Sequence, residues 1–254
     1  MLSIVIIGAG NVATHLYKAL KKAEDTSVIQ WYNRNIKAIE SYKNEVSITK
    51  NIYDLKKADV YIIAVSDDVI GTLSSQLPFA DKLVVHTSGS VSLHDLDKKN
   101  RRGVFFPLQS FTKDADIDFT EVPFCIEIEN KKDLQILKEL SDALGCNHYR
   151  VNSDQRAALH LAAVFVNNFV NQLYRVGHEI TESKSVDFNI LKPLIKETAR
   201  KIETLSPYMA QTGPAKRGDK KTIKKHLRTL DKEIHKDIYE LLTKSIKLTH
   251  GKKL

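Results

Sequence analysis

Two glycines and an alanine, spaced Gly8-x-Gly10-x-x-Ala13, follow directly on the apolar run from Ile4 to Ile7. The spacing suits a main chain that must turn sharply and then lie against a charged ligand. Gly8 permits the tight turn, Gly10 leaves the backbone bare enough for phosphate oxygens to approach, and Ala13 lets the next helix close on the strand. The chain around Asn11 and Val12 then offers the unpaired amides and positive dipole end of a helix to an anion. Strand, glycine turn and helix in that order form a grip for a dinucleotide pyrophosphate. The competing reading is a structural turn that holds nothing.

Four further clusters bear on the same chemistry. The segment Trp31-Tyr-Asn33-Arg34 stands where the end of a second strand falls, and it lacks the Asp or Glu that would bind an adenosine ribose diol. An arginine there pairs with a 2′-phosphate, so Asn33 and Arg34 favour NADP(H) over NAD(H), unless Arg34 is only an exposed loop residue. Val65, Ser66 and Asp68 follow another strand at the carboxyl edge of a sheet, where cofactors lie; Asp67 and Asp68 also suit plain helix capping. The run His86-Thr-Ser88-Gly-Ser90 leaves room for a nicotinamide ring and places Ser88 against cofactor or substrate. His86 is either an acid–base group or a structural histidine.

The fourth cluster is helical. Leu161, Ala162, Val164, Phe165, Val166, Phe169 and Val170 make a segment apolar nearly all round, which predicts deep burial. Yet His160, Asn167 and Asn171 share one stripe of it, with Asn168 at the edge. Buried polar groups need partners. Either they tie down loops, or His160 donates a proton to a substrate carbonyl in a cleft between domains while Asn167 and Asn168 orient it. The loop from Thr212 to Asp219 adds Lys216 and Arg217 between two glycines. They suit a substrate carboxylate or phosphate, or else a rigid connector at a subunit interface. No grouping of side chains suggests a metal site.

These residues need a scaffold, and the first half supplies one by alternation. Strands are expected at Leu2–Ile7, Val28–Tyr32, Val60–Ala64, Leu83–His86, Val104–Phe106, Phe124–Ile128 and near His148–Val151. Helices are expected at Val12–Lys22, Lys37–Lys43, Asp68–Gln76 and Lys132–Leu144. Near-continuous apolar strands separated by helices imply an α/β fold with a doubly wound, mostly parallel Rossmann sheet. After Val151 helical periodicity takes over. A long helix is expected over 153–182, a second over 189–204, a short one opened by Ser206-Pro207, and two more begun by Asp219 and Asp231. Residues 1–151 therefore read as an NADP-binding domain and 152–254 as an all-helical substrate and dimerisation domain.

Composition narrows the class. At 42% hydrophobic residues, the 254-residue chain is neither disordered nor fibrous. No apolar run is long enough to span a bilayer, and no basic leader precedes the first one. Cys125 and Cys146 form no C-x-x-C pair and are expected as buried thiols, consistent with a cytoplasmic protein. From Lys216 onward there are 13 Lys and Arg against 5 Asp and Glu, which accounts for the whole net charge of +8. Amphipathic helix faces explain that excess better than nucleic-acid binding, for which no motif is present.

Gly8-Ala-Gly-Asn-Val-Ala13, Asn33-Arg34, Ala64-Val-Ser-Asp-Asp68, His86-Thr-Ser-Gly-Ser90, Pro107-Leu-Gln-Ser-Phe111, His160 with Asn167-Asn168, and the loop from Thr212 to Asp219 together span nearly the whole chain. In these pieces it resembles a bacterial two-domain family with a Rossmann-like N-terminal domain and an uncharacterised helical C-terminal domain. That family is similar to pyrroline-5-carboxylate reductase and the deazaflavin-dependent NADP reductases. It is more distantly similar to ketopantoate reductases and β-hydroxyacid dehydrogenases. The resemblance implies an NADP-dependent oxidoreductase acting on a small anionic substrate and paired as a homodimer through its helical domain. The last two groups use a helix Lys with an Asn four residues on; here His160 is followed by Val164, so that pair is not preserved. A non-catalytic sensor of the NADP(H) ratio is the alternative that this departure supports.

Overall fold

A computed structural model describes residues 1–250. The chain alternates as expected: β1 (Leu2–Ile7), α1 (Asn11–Lys22), β2 (Thr26–Tyr32), β3 (Ile48–Thr49), β4 (Val60–Ile63), α2 (Asp67–Gln76), β5 (Leu83–His86), β6 (Arg101–Pro107), β7 (Phe124–Ile128), α3 (Leu134–Ala143) and β8 (His148–Arg150). All eight strands join one sheet in the order β3-β2-β1-β4-β5-β6-β7-β8. Among the described residues only the β6–β7 pairing is antiparallel. The crossing from β3 back past β1 to β4 makes a topological switch point beside β1. Register sets its geometry: Ile7 aligns with Tyr32 and Ile63, and Ile63 aligns with His86, so four strands end level with one another.

The sheet is covered on both sides, which is why its strands are apolar throughout. Ile4, Ile6, Leu16, Trp31 and Phe105 pack in one layer with Leu137 and Leu140 of α3. Val5, Ile7, Tyr61 and Ile63 pack in the other with Ile70 and Leu73 of α2. Cys125 and Cys146 are buried free thiols, and burial pushes the Cys146 thiol up to about 11. One expected helix is absent. Residues 37–43 form two 3-10 turns, Ile36–Ala38 and Glu40–Tyr42, on either side of buried Ile39. The short strand β3, which propensity did not mark, follows them.

The expected long helix is interrupted. It runs as α4 (Ser153–Ala163), a π turn (Val164–Phe169) and α5 (Val170–Glu182). A π turn carries one residue more per turn and recurs at functional sites. The deep burial expected of this segment is not found: Leu161, Phe165, Val166 and Phe169 are 60%, 61%, 73% and 49% exposed. Apolar periodicity all round calls for cover on every face, and this chain by itself does not supply it.

The chain divides into two compact units, one ending at Asn167 and the other starting at Asn168. Helices take over at Ser153, but the first unit continues further because α4 is bolted to the sheet. Arg156, fully buried, pairs with Glu127 of β7, and Ser153 Oγ donates to the same carboxylate. The second unit continues with α6 (Lys192–Thr204), α7 (Pro207–Ala210), α8 (Pro214–Arg217), α9 (Lys220–Thr229) and α10 (Glu233–His250). Within it Glu179 of α5 accepts from Lys232 at 2.7 Å and Arg175 at 2.9 Å, which holds its carboxyl below the usual range. Its buried residues, among those described, are Ala215, Ile223 and His235.

Candidate functional site

At the level strand ends lies a cavity of about 720 Å³, lined by the glycine turn, the ends of β2, β4, β5 and β6, and His160. Its best-defined wall is the fingerprint. Gly8 has φ +119, and an added Cβ would stand 2.1 Å from the carbonyl oxygen of Ala64, so only glycine fits this turn against β4. Gly10 is the N-cap of α1, makes no side-chain capping bond, and has no acid in the turn that follows it. A Cβ there would meet nothing within 4 Å. The first amides of α1 thus lack any internal acceptor and open onto free space, an arrangement that fits a diphosphate.

The turn is held from beneath by Trp31. Its buried indole N–H donates to the Gly8 carbonyl at 2.6 Å, while its ring lies 4.6 Å from that of Tyr17 and 4.9 Å from that of Tyr42. Asn11 does double duty: it lines the cavity, and its side-chain amide donates to the Phe111 carbonyl at 2.9 Å. That bond fixes the loop after β6, whose Gln109 and Phe111 also face the cavity.

At the end beside β2, Asn33, Asn35 and Ala38 form the wall, and Asn33 donates to the Asn35 carbonyl at 2.8 Å. Arg34 lies between them, exposed and outside the lining. At the opposite end Val65, Ser66, Thr87 and Ser88 line the cavity, as does Asp67, whereas Asp68 does not. Asp67 accepts a hydrogen bond from Ser90 Oγ. Ser88 Oγ accepts from the amides of Ser90 and Val91, each at 3.1 Å. A chain of small hydroxyls thereby ties the loop after β5 to the start of α2.

His86 is a structural histidine. It is completely buried, and its Nδ1 accepts the Ser88 amide at 3.1 Å. Burial first, then the nearby Arg156 cation, pushes it down to about 4, with Asp67 pulling weakly the other way. The unfolded chain therefore takes up this proton first on acidification, so stability is full above about pH 6.5 and falls as the pH drops towards 4. The expected loss is about 3 kcal/mol. Thermal melts between pH 4 and 7 test this: the slope should be present in the parent and reduced in His86→Gln.

His160 stands on the facing wall, one turn beyond Arg156 on α4. A Cβ on Gly89 would lie 2.7 Å from His160 Nδ1 and 2.7 Å from Phe106 Cζ, so Gly89 is the seat of both rings. The His160 and Phe106 rings meet edge-on with centroids 6.1 Å apart. The cavity thus brings together Gly10, Asn11, Val12, Asn33, Val65, Ser66, Ser88 and His160, while Gly8 shapes the turn behind it without lining it. Asn167 sits in the π turn; Asn168, Lys216 and Arg217 belong to the second unit, the last two exposed. Phe106 and Asp67 were missed as site residues and nothing in their spacing marks them, whereas Gly89 lies in the run from His86 to Ser90, whose small residues read as leaving room for a ligand. Among the described residues no group of His, Cys, Asp and Glu could hold a metal ion.

An uncapped glycine turn at the switch point of a doubly wound sheet, followed by a helical unit, defines the class: a Rossmann-type protein with a helical C-terminal unit. Residues 3–89 match the family described as NADP oxidoreductase, coenzyme F420-dependent, and residues 122–246 match a domain of unknown function, DUF2520. A Bacteroides fragilis protein with the provisional name NADP oxidoreductase is 37% identical over 96% of this chain and 97% of its own, with a TM-score of 0.87. The chain belongs to this family of NADP oxidoreductases with a DUF2520 C-terminal domain. A Thermotoga maritima protein, at 23% identity over 97% and 98% of the two chains, has a TM-score of 0.73. A reductive aminase from Aspergillus terreus, solved with NADPH and ethyl levulinate, shares the fold at 14% identity over 99% and 95% of the chains, with a TM-score of 0.69. No curated protein matches the chain.

Proposed function

We propose that this protein is a cytoplasmic NADP(H)-dependent oxidoreductase that reduces a small carbonyl or imine acid, with His160 as proton donor. The observation that carries this reading is the uncapped, acid-free start of α1 behind open Gly10, in one cavity with His160. Bound NADPH supplies a hydride to the substrate carbon. The backbone amides from Gly10 to Val12 hold the diphosphate, and Val65, Ser66 and Ser88 bound the nicotinamide end. As the substrate's oxygen or nitrogen gains the electron pair of its double bond, His160 delivers the proton that neutralises it. Exposed Lys216 and Arg217 are the cations we assign to the substrate's carboxylate, and Asn167 and Asn168 the amides for its reacting group. A spectrophotometric screen of 2-oxo acids and cyclic imines, following NADPH absorbance, tests the reading; no turnover with any of them favours the sensor alternative, which the replacement of the relatives' Lys–Asn pair by His160 and Val164 supports.

Arg34 is assigned to the 2′-phosphate. It is exposed and has no carboxylate beside it in the sequence, so a bound phosphate would gain a charge-assisted contact worth about 1.5–3 kcal/mol. Calorimetry on Arg34→Ala should then find NADPH binding at least about tenfold weaker and NADH binding unchanged. Equal loss for both cofactors, or none, removes Arg34 from specificity.

The same reading includes a homodimer. Beyond Asn168 the buried apolar side chains, among those described, are Ala215 and Ile223, while Leu194, Ile202, Met209, Leu241 and Leu248 are 62%, 58%, 64%, 69% and 79% exposed. So little burial does not offset the cost of ordering a unit of this size. A second copy, bringing the same apolar helices, is the occupant these faces suit. Sedimentation should give twice the 28.8 kDa chain mass. Val166→Glu with Leu194→Glu should shift it to monomer with a lower melting temperature; a monomeric parent rejects the pairing.

A further inference from the structure

We propose that Arg156, buried between α4, β7 and the loop after β5, is the positioning residue that sets how His160 faces the Ser88–Gly89 wall of the cavity. This rests on the reading of His160 as the group that meets the substrate, but its evidence is separate. Arg156 is 0% exposed, yet it reaches three elements at once. One guanidinium nitrogen pairs with Glu127 of β7. Another donates to the Val91 carbonyl in the loop that carries Ser88 and Gly89, and to Ser153 Oγ at 3.2 Å. Ser153 Oγ closes the ring by donating to Glu127 at 2.9 Å and accepting the Leu93 amide at 3.1 Å.

The consequence is geometric. His160 follows Arg156 by four residues, one helical turn, so it lies on the same face of α4. Its ring is seated against Gly89, three residues after His86 and two before Val91, whose carbonyl Arg156 grips. One planar cation therefore fixes both sides of the contact: the helix that carries His160 and the loop that receives it. Its fork makes bonds in two directions that a lysine's single ammonium does not reproduce. Stability alone is a poor reason for such a group, since buried ion pairs are often matched or exceeded by apolar packing. Burial first, with the Arg156 cation adding to it, disfavours a charged His86, and His86 Nδ1 accepts the Ser88 amide that shapes the same loop.

The experiment reads His160 directly, by ring resonances of histidine-labelled protein with His160→Asn for assignment. Gly89→Ala, which displaces the ring from its seat, provides the reference for a lost position. Arg156→Met should move or broaden the His160 signals as Gly89→Ala does, and Arg156→Lys should do so in part. Leu137→Ala, a cavity variant in the core remote from α4, should lower the melting temperature and leave those signals in place. Glu127→Gln, which loosens the pair without removing the cation, keeps the test open should Arg156→Met fail to fold, and should also shift the His160 signals. NADPH affinity should stay within about twofold in Leu137→Ala, whose side chain does not line the cavity. Unchanged His160 signals in Arg156→Lys and Glu127→Gln overturn the proposal. Full turnover in His160→Ala would instead overturn the catalytic reading, while the response of the ring to Arg156 would stand.

Discussion

Alanine at Gly8 is expected to abolish dinucleotide binding. The residue holds φ +119, where a Cβ is strained by about 1–2 kcal/mol, and that Cβ would stand 2.1 Å from the Ala64 carbonyl oxygen and 2.7 Å from its carbon. Backbone atoms do not rotate away as a side chain does, so either the turn or the end of β4 has to move. Both lie in the wall of the cavity, and either shift takes the amides at the start of α1 off the diphosphate. Calorimetry should show affinity for NADPH and NADH reduced by at least about a hundredfold, with a lower melting temperature. Gly10→Ala separates the two effects. Its φ is −75 and its Cβ meets no protein atom within 4 Å, so the fold is spared while the methyl occupies the anion's approach. Weaker binding at an unchanged melting temperature is expected there, and parental affinity in both variants would remove the fingerprint as the cofactor grip.

Removing the imidazole of His160 is the second large effect. In His160→Ala, NADPH affinity should remain within about twofold, and turnover should fall by about 10²–10⁴, the range for loss of a positioned proton donor. The separation follows from placement. His160 lies on α4 against Gly89 and Phe106, on elements other than the glycine turn. Burst and steady-state measurements with a substrate from the carbonyl and imine panel give the comparison. Unimpaired turnover would transfer the proton to another group, with Ser88 the next candidate by its place in the same wall.

Local sequence carried the glycine-turn half of this cavity. The glycine spacing, the apolar strands and the capping residues act within a few positions of one another, so periodicity and turn chemistry identify β1, α1 and the parallel sheet without the rest of the chain. Gly8 and Gly10 are legible because their constraint is local backbone geometry. The residues 37–43 misled because the helical pattern there yields to two 3-10 turns on either side of the buried anchor Ile39. The deep burial expected of 153–182 failed for a related reason. Apolar periodicity reports that a helix wants cover, not which molecule provides it.

The sequence by itself determined the class of fold, the glycine turn, the family and the helical character of the second half. Tertiary structure alone decided that Gly89 and Phe106 seat His160, that Asp67 rather than Asp68 faces the cavity, and that His86 is sealed away from it. It also decided that Arg156 is buried on Glu127 of β7 and on a loop carbonyl far from it in sequence. The division is physical: propensity and capping act between near neighbours, whereas desolvation and salt bridging depend on what the sheet order places side by side.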